Sequence, residues 1–294
     1  MPAKTEDAGS IFFDKVTILG VGLIGASMAL AMRKRQLCGH IAGFGRSEEN
    51  LREARRRGII DSFARNAEEA CKDADLVVLA APVGTFLDLT RQSSASLKPG
   101  ALMTDTGSVK GNLVHEIEKL VPGGVGYIGS HPIAGSDRSG IDASRFDLFE
   151  NSKCIVTPTV HSDPGALKKI ILLWQSLGSR VISMDPARHD RIYSSVSHLP
   201  HLIAYALVNT AADIDPSSLE FSGQGFRDAT RIACSSPELW RDICLMNGGN
   251  LIEMVKMFQK NLDALSRYLR DSDSVSLERE FRRARTLREG IEQN

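Results

Sequence analysis

Positions 16–32 hold 17 successive uncharged residues, and Gly20, Gly22 and Gly25 stand within them at G-x-G-x-x-G spacing behind the apolar run VTIL. A run of that length lies at the short edge of what spans a bilayer. A strand that turns sharply into a helix accounts for its glycines better. Gly20 permits the turn, Gly22 leaves room for a pyrophosphate to approach the backbone, and Gly25 lets helix and strand pack closely. The N-terminus of such a helix presents free N–H donors and a partial positive charge. Gly20, Gly22, Leu23, Ile24 and Gly25 are therefore candidate cofactor contacts, against the plainer alternative of a purely structural glycine turn.

The same rhythm continues downstream. Short apolar runs (IAGFG, DLVVLAAP, ALMTDTG) alternate with amphipathic stretches over 48–57, 84–97 and 112–120, following a first helix at 26–34. Further strands are expected at 126–128, 154–157 and 180–183, with a helix over 165–177 between the last two. Strands each followed by a helix imply βαβ units and a parallel sheet. After Asp185-Pro186 the pattern changes to long helical periods over 187–213, 238–268 and 276–291. The expected architecture is an α/β, Rossmann-like doubly wound parallel sheet over 1–186, which binds the dinucleotide, followed by an all-α substrate domain over 187–294. Two domains suit 294 residues at ~100–200 residues each.

Composition narrows the function. With 42% hydrophobic and 24% charged residues the chain is neither disordered nor fibrous. Lys plus Arg and Asp plus Glu both number 36, so no net field draws it to nucleic acid or an anionic membrane. Its five cysteines are scattered without C-x-x-C spacing, which argues against zinc and redox chemistry and for a reducing compartment. The polar start MPAKTEDAGS resembles no export signal, so a cytoplasmic location is expected.

The residue that distinguishes one dinucleotide from another is expected about 20 positions past the glycines, where an acid binds a ribose diol. Here the strand end reads Gly43-Phe44-Gly45-Arg46-Ser47, without that acid. Arg46 and Ser47 suit a 2′-phosphate, so NADP is expected, with Arg52, Arg55, Arg56 and Arg57 as possible secondary charge. The alternative is that these arginines form a solvated helix face and NAD binds through its ring and pyrophosphate. Pro82, closing DLVVLAAP, joins the candidate cofactor contacts.

Two further stretches, Asp105 to Lys110 and Ser130 to Asp137, follow strands at the carboxyl edge where open α/β sheets bind ligands. His131 there is a candidate base, against the common case of a structural histidine. His198 and His201 share a helix face, with His189 as a distant third ligand, but no adjacent acid or cysteine completes a site and no metal is expected. Arg231, in GFRDATR, is placed to grip a carboxylate, with an internal pair to Asp228 as the alternative.

Together GVGLIGAS, TDTGSVKG, GSHPIAGSDRSG, VSHLPH and GFRDATRIA with SPELWRD resemble the prephenate/arogenate (cyclohexadienyl) dehydrogenase family, over about 16–269. The resemblance implies oxidative decarboxylation of a cyclohexadienol in tyrosine biosynthesis, driven by aromatisation. It implies that His131 takes the proton of the ring C4 hydroxyl and that Ser108 orients that hydroxyl and the nicotinamide. His201, with Ser197 and His198 nearby, is implied to line the substrate pocket. Arg231 would bind a substrate carboxylate and Asp228 steady the cluster. The resemblance implies helical domains that intertwine as a homodimer, with part of one active site expected from the other chain. Where relatives often carry Glu, this chain has the shorter Asp137, at the place of a gating or side-chain-recognition acid. Two alternatives share the glycine turn. A hydroxyacid dehydrogenase or imine reductase would normally use a lysine base on the interdomain helix, and no Lys lies between Lys169 and Lys256. A non-catalytic NADP-binding sensor would have no reason to place His131, Ser108 and Arg231 as they are.

Overall fold

A computed structural model describes residues 12–135 and 139–291. Its first half alternates strands and helices: β1 (Phe13–Leu19), α1 (Leu23–Lys34), β2 (Cys38–Phe44), α2 (Glu48–Arg56), β3 (Ser62–Phe63), α3 (Ala67–Cys71), β4 (Leu76–Leu79), α4 (Phe86–Ser94), β5 (Leu102–Asp105), α5 (Gly111–Leu120), β6 (Gly126–Ile133), β7 (Lys153–Thr157), α6 (Pro164–Ser176) and β8 (Arg180–Ser183). The eight strands form one sheet in the order β3-β2-β1-β4-β5-β6-β7-β8. Strand order reverses at β1, so a crevice opens at the carboxyl ends of β1 and β4, where sheets of this kind take their ligands. Alternate residues serve opposite faces: Val78 packs with Ile18, Met28 and Ile41, while Val77 packs with Leu19, Phe86 and Met103.

One pairing departs from the expected all-parallel sheet. β6 and β7 run antiparallel, with His131 opposite Ile155. The chain between them contains a single 3₁₀ turn, Ile141–Ala143, and no crossover α-helix among its described residues, so the return strand lies antiparallel. The expectation that His131 follows its strand is also corrected, because β6 extends to Ile133. Its partner β5 pairs only with Gly126, Tyr127 and Ile128, so His131 still projects past the end of the parallel sheet. The short β3 and α3 lay below the length at which periodicity is visible.

Asp185 starts the helical part. Its carboxylate accepts from the Ala187 and Arg188 amides at 2.8 and 3.1 Å, with Pro186 in the first turn of α7 (Pro186–Tyr193). The expected continuous helix over 187–213 instead contains a π turn, Ser194–His198, before α8 (Leu199–Ile214). Pro200 has no N–H to give the carbonyl four residues back, which loosens the ladder at that point. α9 (Gln224–Thr230) and α10 (Pro237–Met246) follow, and the first compact unit ends at Asn247. The expected 238–268 helix is thus two helices, because Asn247 caps α10 and turns its side chain inward. The second unit holds α11 (Gly248–Arg270) and α12 (Ser274–Ile291). No described helix is long and apolar enough to cross a membrane.

Candidate active site

The three glycines do different things. Gly20 has φ +111°, and a Cβ there would lie 2.4 Å from the Ala81 nitrogen, so both its conformation and its contact with the end of β4 demand glycine. A Cβ on Gly25 would meet the Gly20 carbonyl oxygen at 2.1 Å, which is the close helix–strand approach. Gly22 faces open space, and it caps α1 without a side-chain bond or an acid in the first turn. The amides following it, those of Leu23 and Ile24, therefore form a positively polarised cradle that fits a pyrophosphate. Pro82 lies exposed just beyond β4 on the same rim. Asn50, not singled out by sequence, ties α2 to this loop by donating to the Val21 carbonyl at 2.8 Å.

At the adenosine end, Arg46 is exposed at the tip of β2. Ser47 has a structural duty, since its hydroxyl oxygen caps α2 by accepting from the Asn50 amide at 3.1 Å. Of the secondary arginines, Arg52 pairs with Glu48, Arg56 and Arg57 pair with Glu53, and Arg57 also reaches Asp142. Arg46 is the arginine next to the end of β2.

A chain of hydrogen bonds runs through the catalytic end. Asp190 Oδ1 accepts from the Lys110 amide and from His189 Nδ1, each at 2.8 Å. His189 must then carry its proton on Nδ1, so its Nε2 is an acceptor. His131 Nδ1 stands 2.8 Å from that Nε2 and donates to it, which leaves the His131 Nε2 as the acceptor nitrogen, with no hydrogen bond to it among the described residues. Tyr193 stacks on His189 at 4.5 Å between ring centroids and lies against His131 at 4.8 Å. Burial holds His131 well below the ordinary imidazole value, reinforced by the charges of His189, Lys110 and His198. Burial likewise takes His189 down to about 2, with Lys110 and His198 acting in the same sense. Both rings are therefore neutral at pH 7, the form a base requires.

Lys110 is wholly buried and paired with the equally buried Asp105. Asp105 also accepts from Tyr127 Oη at 2.8 Å and from the Gly107 amide at 2.7 Å. Ser108 sits half-buried in this turn, between β5 and α5.

The helical elements bring a second arm. Asn247 Nδ2 donates to the Asp190 carbonyl at 2.8 Å and to His198 Nδ1 at 3.0 Å, so neutral His198 carries its proton on Nε2. Burial lowers His198 to about 4, opposed by the Asp190 charge and the Ser108 main chain. His201 Nδ1 donates to the Ser197 carbonyl at 3.0 Å, and Trp240 stacks on its ring at 3.4 Å. Burial lowers His201 as well, and Arg231 is near enough to add to the effect. His131, Ser108, His198, Ser197, His201 and Arg231 are thereby linked in one neighbourhood. The exposed carboxylate of Asp228 takes the Gln224 side-chain amide at 2.7 Å, one turn earlier on α9. Asp137 lies outside the described residues. His189 turns out to be a partner of His131, where the sequence offered it only as a remote metal ligand. Asp190, Asn247 and Tyr193 carried no motif-level signal, while Lys110 and Trp240 lay inside TDTGSVKG and SPELWRD without being given a role.

A glycine turn suited to a dinucleotide, on a doubly wound sheet that carries buried, neutral histidines beyond β5, is the arrangement of a nicotinamide-dependent dehydrogenase. The family model described as prephenate dehydrogenase, nucleotide-binding domain, matches 28–183, and that described as prephenate dehydrogenase, dimerization domain, matches 185–283. The chain belongs to the prephenate dehydrogenase family. It is 34% identical to prephenate dehydrogenase of Bacillus subtilis over 95% of this chain and 76% of that protein. It is 31% identical to cyclohexadienyl dehydrogenase of Zymomonas mobilis over 94% and 95% of the two chains. Among solved structures it resembles prephenate dehydrogenase of Aquifex aeolicus in complex with hydroxyphenyl propionate and NAD+, with TM-score 0.90 and 35% identity over 96% of this chain and 100% of that one.

Proposed function

We propose that this enzyme oxidatively decarboxylates prephenate, arogenate or both, forming 4-hydroxyphenylpyruvate or tyrosine, with His131 Nε2 as the base for the ring C4 hydroxyl. The observation that carries this is the enforced tautomer of His131: Nδ1–H is committed to His189, and Nε2 is the acceptor nitrogen, unpaired among the described residues. The nicotinamide, when bound on the glycine cradle, accepts hydride from C4. Ser108 orients the hydroxyl, His201 with Ser197 and His198 lines the pocket, and Arg231 holds a substrate carboxylate. Loss of carbon dioxide then makes the ring aromatic, which drives the reaction forward. Residues 1–186 serve the nucleotide and 187–294 the substrate and assembly, in the cytoplasm.

The test offers both cyclohexadienols with both cofactors and follows reduced nicotinamide by absorbance. Turnover of neither substrate overturns the proposal. NADP is the cofactor we propose, because Arg46 and Ser47 stand where a diol-binding acid is missing. A charge-assisted contact is worth ~1.5–3 kcal/mol, so kcat/KM favours NADP by roughly tenfold or more. Arg46→Ala then reduces use of NADP and spares NAD. A wild-type preference for NAD, or an equal loss with both cofactors, shows that Arg46 does not read the phosphate.

The assembly we propose is a homodimer, supported by the dimerization-domain match and by exposed apolar side chains on the helices. Leu202 and Leu207 on α8, Met257 on α11 and Phe281 on α12 are among them. Light scattering is expected at about twice 32.0 kDa for wild type and for Arg231→Ala alike. The variant's substrate KM rises strongly with little change in kcat, because a carboxylate contact acts in ground and transition states together. A fully active monomer overturns the assembly, and an unchanged KM returns Arg231 to a structural role.

A further inference from the structure

The proposal that His131 is the base leaves open where the proton finishes, and the geometry resolves it in an unexpected way. The His131 Nδ1–H···Nε2 His189 Nδ1–H···Oδ1 Asp190 chain is continuous, with both links 2.8 Å long. Each ring is a donor at one nitrogen and an acceptor at the other, so a proton taken at one end can be handed on at the other without either ring moving. We propose that the proton leaving the substrate hydroxyl comes to rest on the Asp190 carboxylate, and that His189 and Asp190 are the positioning and relay residues of this reaction.

The transfer balances without a co-reactant. The substrate O–H bond breaks as His131 Nε2–H forms. His131 Nδ1 gives its proton to His189 Nε2, and His189 Nδ1 gives its own to Asp190 Oδ1. The end state has a neutral carboxylic acid and two neutral imidazoles of reversed tautomer, and no buried imidazolium persists. That outcome is favoured by what surrounds the chain. Lys110, a fully buried cation from the turn before α5, disfavours positive charge on both rings, while His198 of the π turn, lowered to about 4, is neutral at pH 7. Tyr193 of α7 stacks on His189 and packs at a tilt against His131, Cys154 of β7 lies against the His131 main chain, and both rings are buried, so water has little access to share the charge.

Asp190 is built differently from the rings. It sits at the N-terminus of α5, close enough that a Cβ on Gly111 would lie 2.5 Å from Oδ2. Asn247 of α10's end fixes its main chain. Burial nevertheless raises Asp190 to about 6, opposed by the Lys110 amide and charge, His198 and the Gly111 amide. It is thus the strongest base of the three groups and still ionised at neutral pH, ready to receive a proton.

This inference rests on the dehydrogenase reading, and its test separates the two. Asp190→Asn keeps an oxygen to accept from His189 and the Lys110 amide but can take no proton. We expect kcat to fall by ~100-fold or more, with cofactor affinity and substrate KM nearly unchanged. Wild-type kcat should decline below pH about 6, as the relay's terminus fills, and that limb should vanish in the variant. Rate against deuterium fraction should curve for wild type, with several protons in flight, and become linear in the variant. A kcat within threefold of wild type, or an acid limb unchanged by the substitution, overturns the relay and leaves the proton on His131. If the variant does not fold, the wild-type deuterium plot decides: a curve supports the relay and a straight line overturns it. A wild type inactive on both cyclohexadienols removes the reaction itself and is a different result.

Discussion

His131→Asn is expected to lower kcat by ~10² to 10⁴ while leaving cofactor affinity nearly unchanged. An Asn retains a polar group near the substrate hydroxyl but accepts no proton at neutral pH. The cofactor cradle is built from Gly20 to Gly25 on another strand end, so binding of reduced nicotinamide, read by its fluorescence, serves as the control. The direction of the His131 shift fixes the sign of the pH effect. A base held well below the ordinary imidazole value is already deprotonated at pH 7, so raising the pH above 7 gains no further active base. A variant that keeps most of its kcat at pH 7 removes His131 from the role.

Lys110→Met is expected to cost ~3–5 kcal/mol of stability, because it leaves the Asp105 carboxylate charged and fully buried with its cation gone. The Tyr127 and Gly107 donors remain, but neutral donors offset only part of that loss. In a chain of this size the thermal midpoint should fall by about 5–8 °C. Asp105→Asn combined with Lys110→Met should recover much of the difference, since the pair then disappears together. A single variant melting within about 2 °C of wild type would show that Asp105 finds other compensation.

These residues also show what a reader of the sequence can and cannot see. Gly20 and Gly25 were legible because their requirement is local: a positive φ in one case and a contact five residues away in the other. The strand-to-helix alternation was legible because burying both faces of a parallel sheet imposes continuous apolar runs. His131 and Arg231 stood out in the sequence only as members of the segments that carry them. Ser47 was read for its chemistry, and the structure adds the capping role that a Ser ahead of an acidic first turn commonly takes. The π turn and the break at Asn247 escaped, since helical periodicity continues through both.

The sequence by itself determined the doubly wound nucleotide fold, the position of the cofactor cradle and the family, because each depends on residue types at short, fixed spacing. Tertiary structure alone decided which histidine serves which. His131 and His189 are 58 residues apart, and Asp190 reaches the Lys110 amide across 80. α7 packs against α5 at the carboxyl edge of the sheet, and only that packing brings the three groups into line. A single histidine in a sequence specifies neither its tautomer nor its basicity. Those follow from the partner at its other nitrogen and from the buried charge of Lys110, both set by packing between distant parts of the chain.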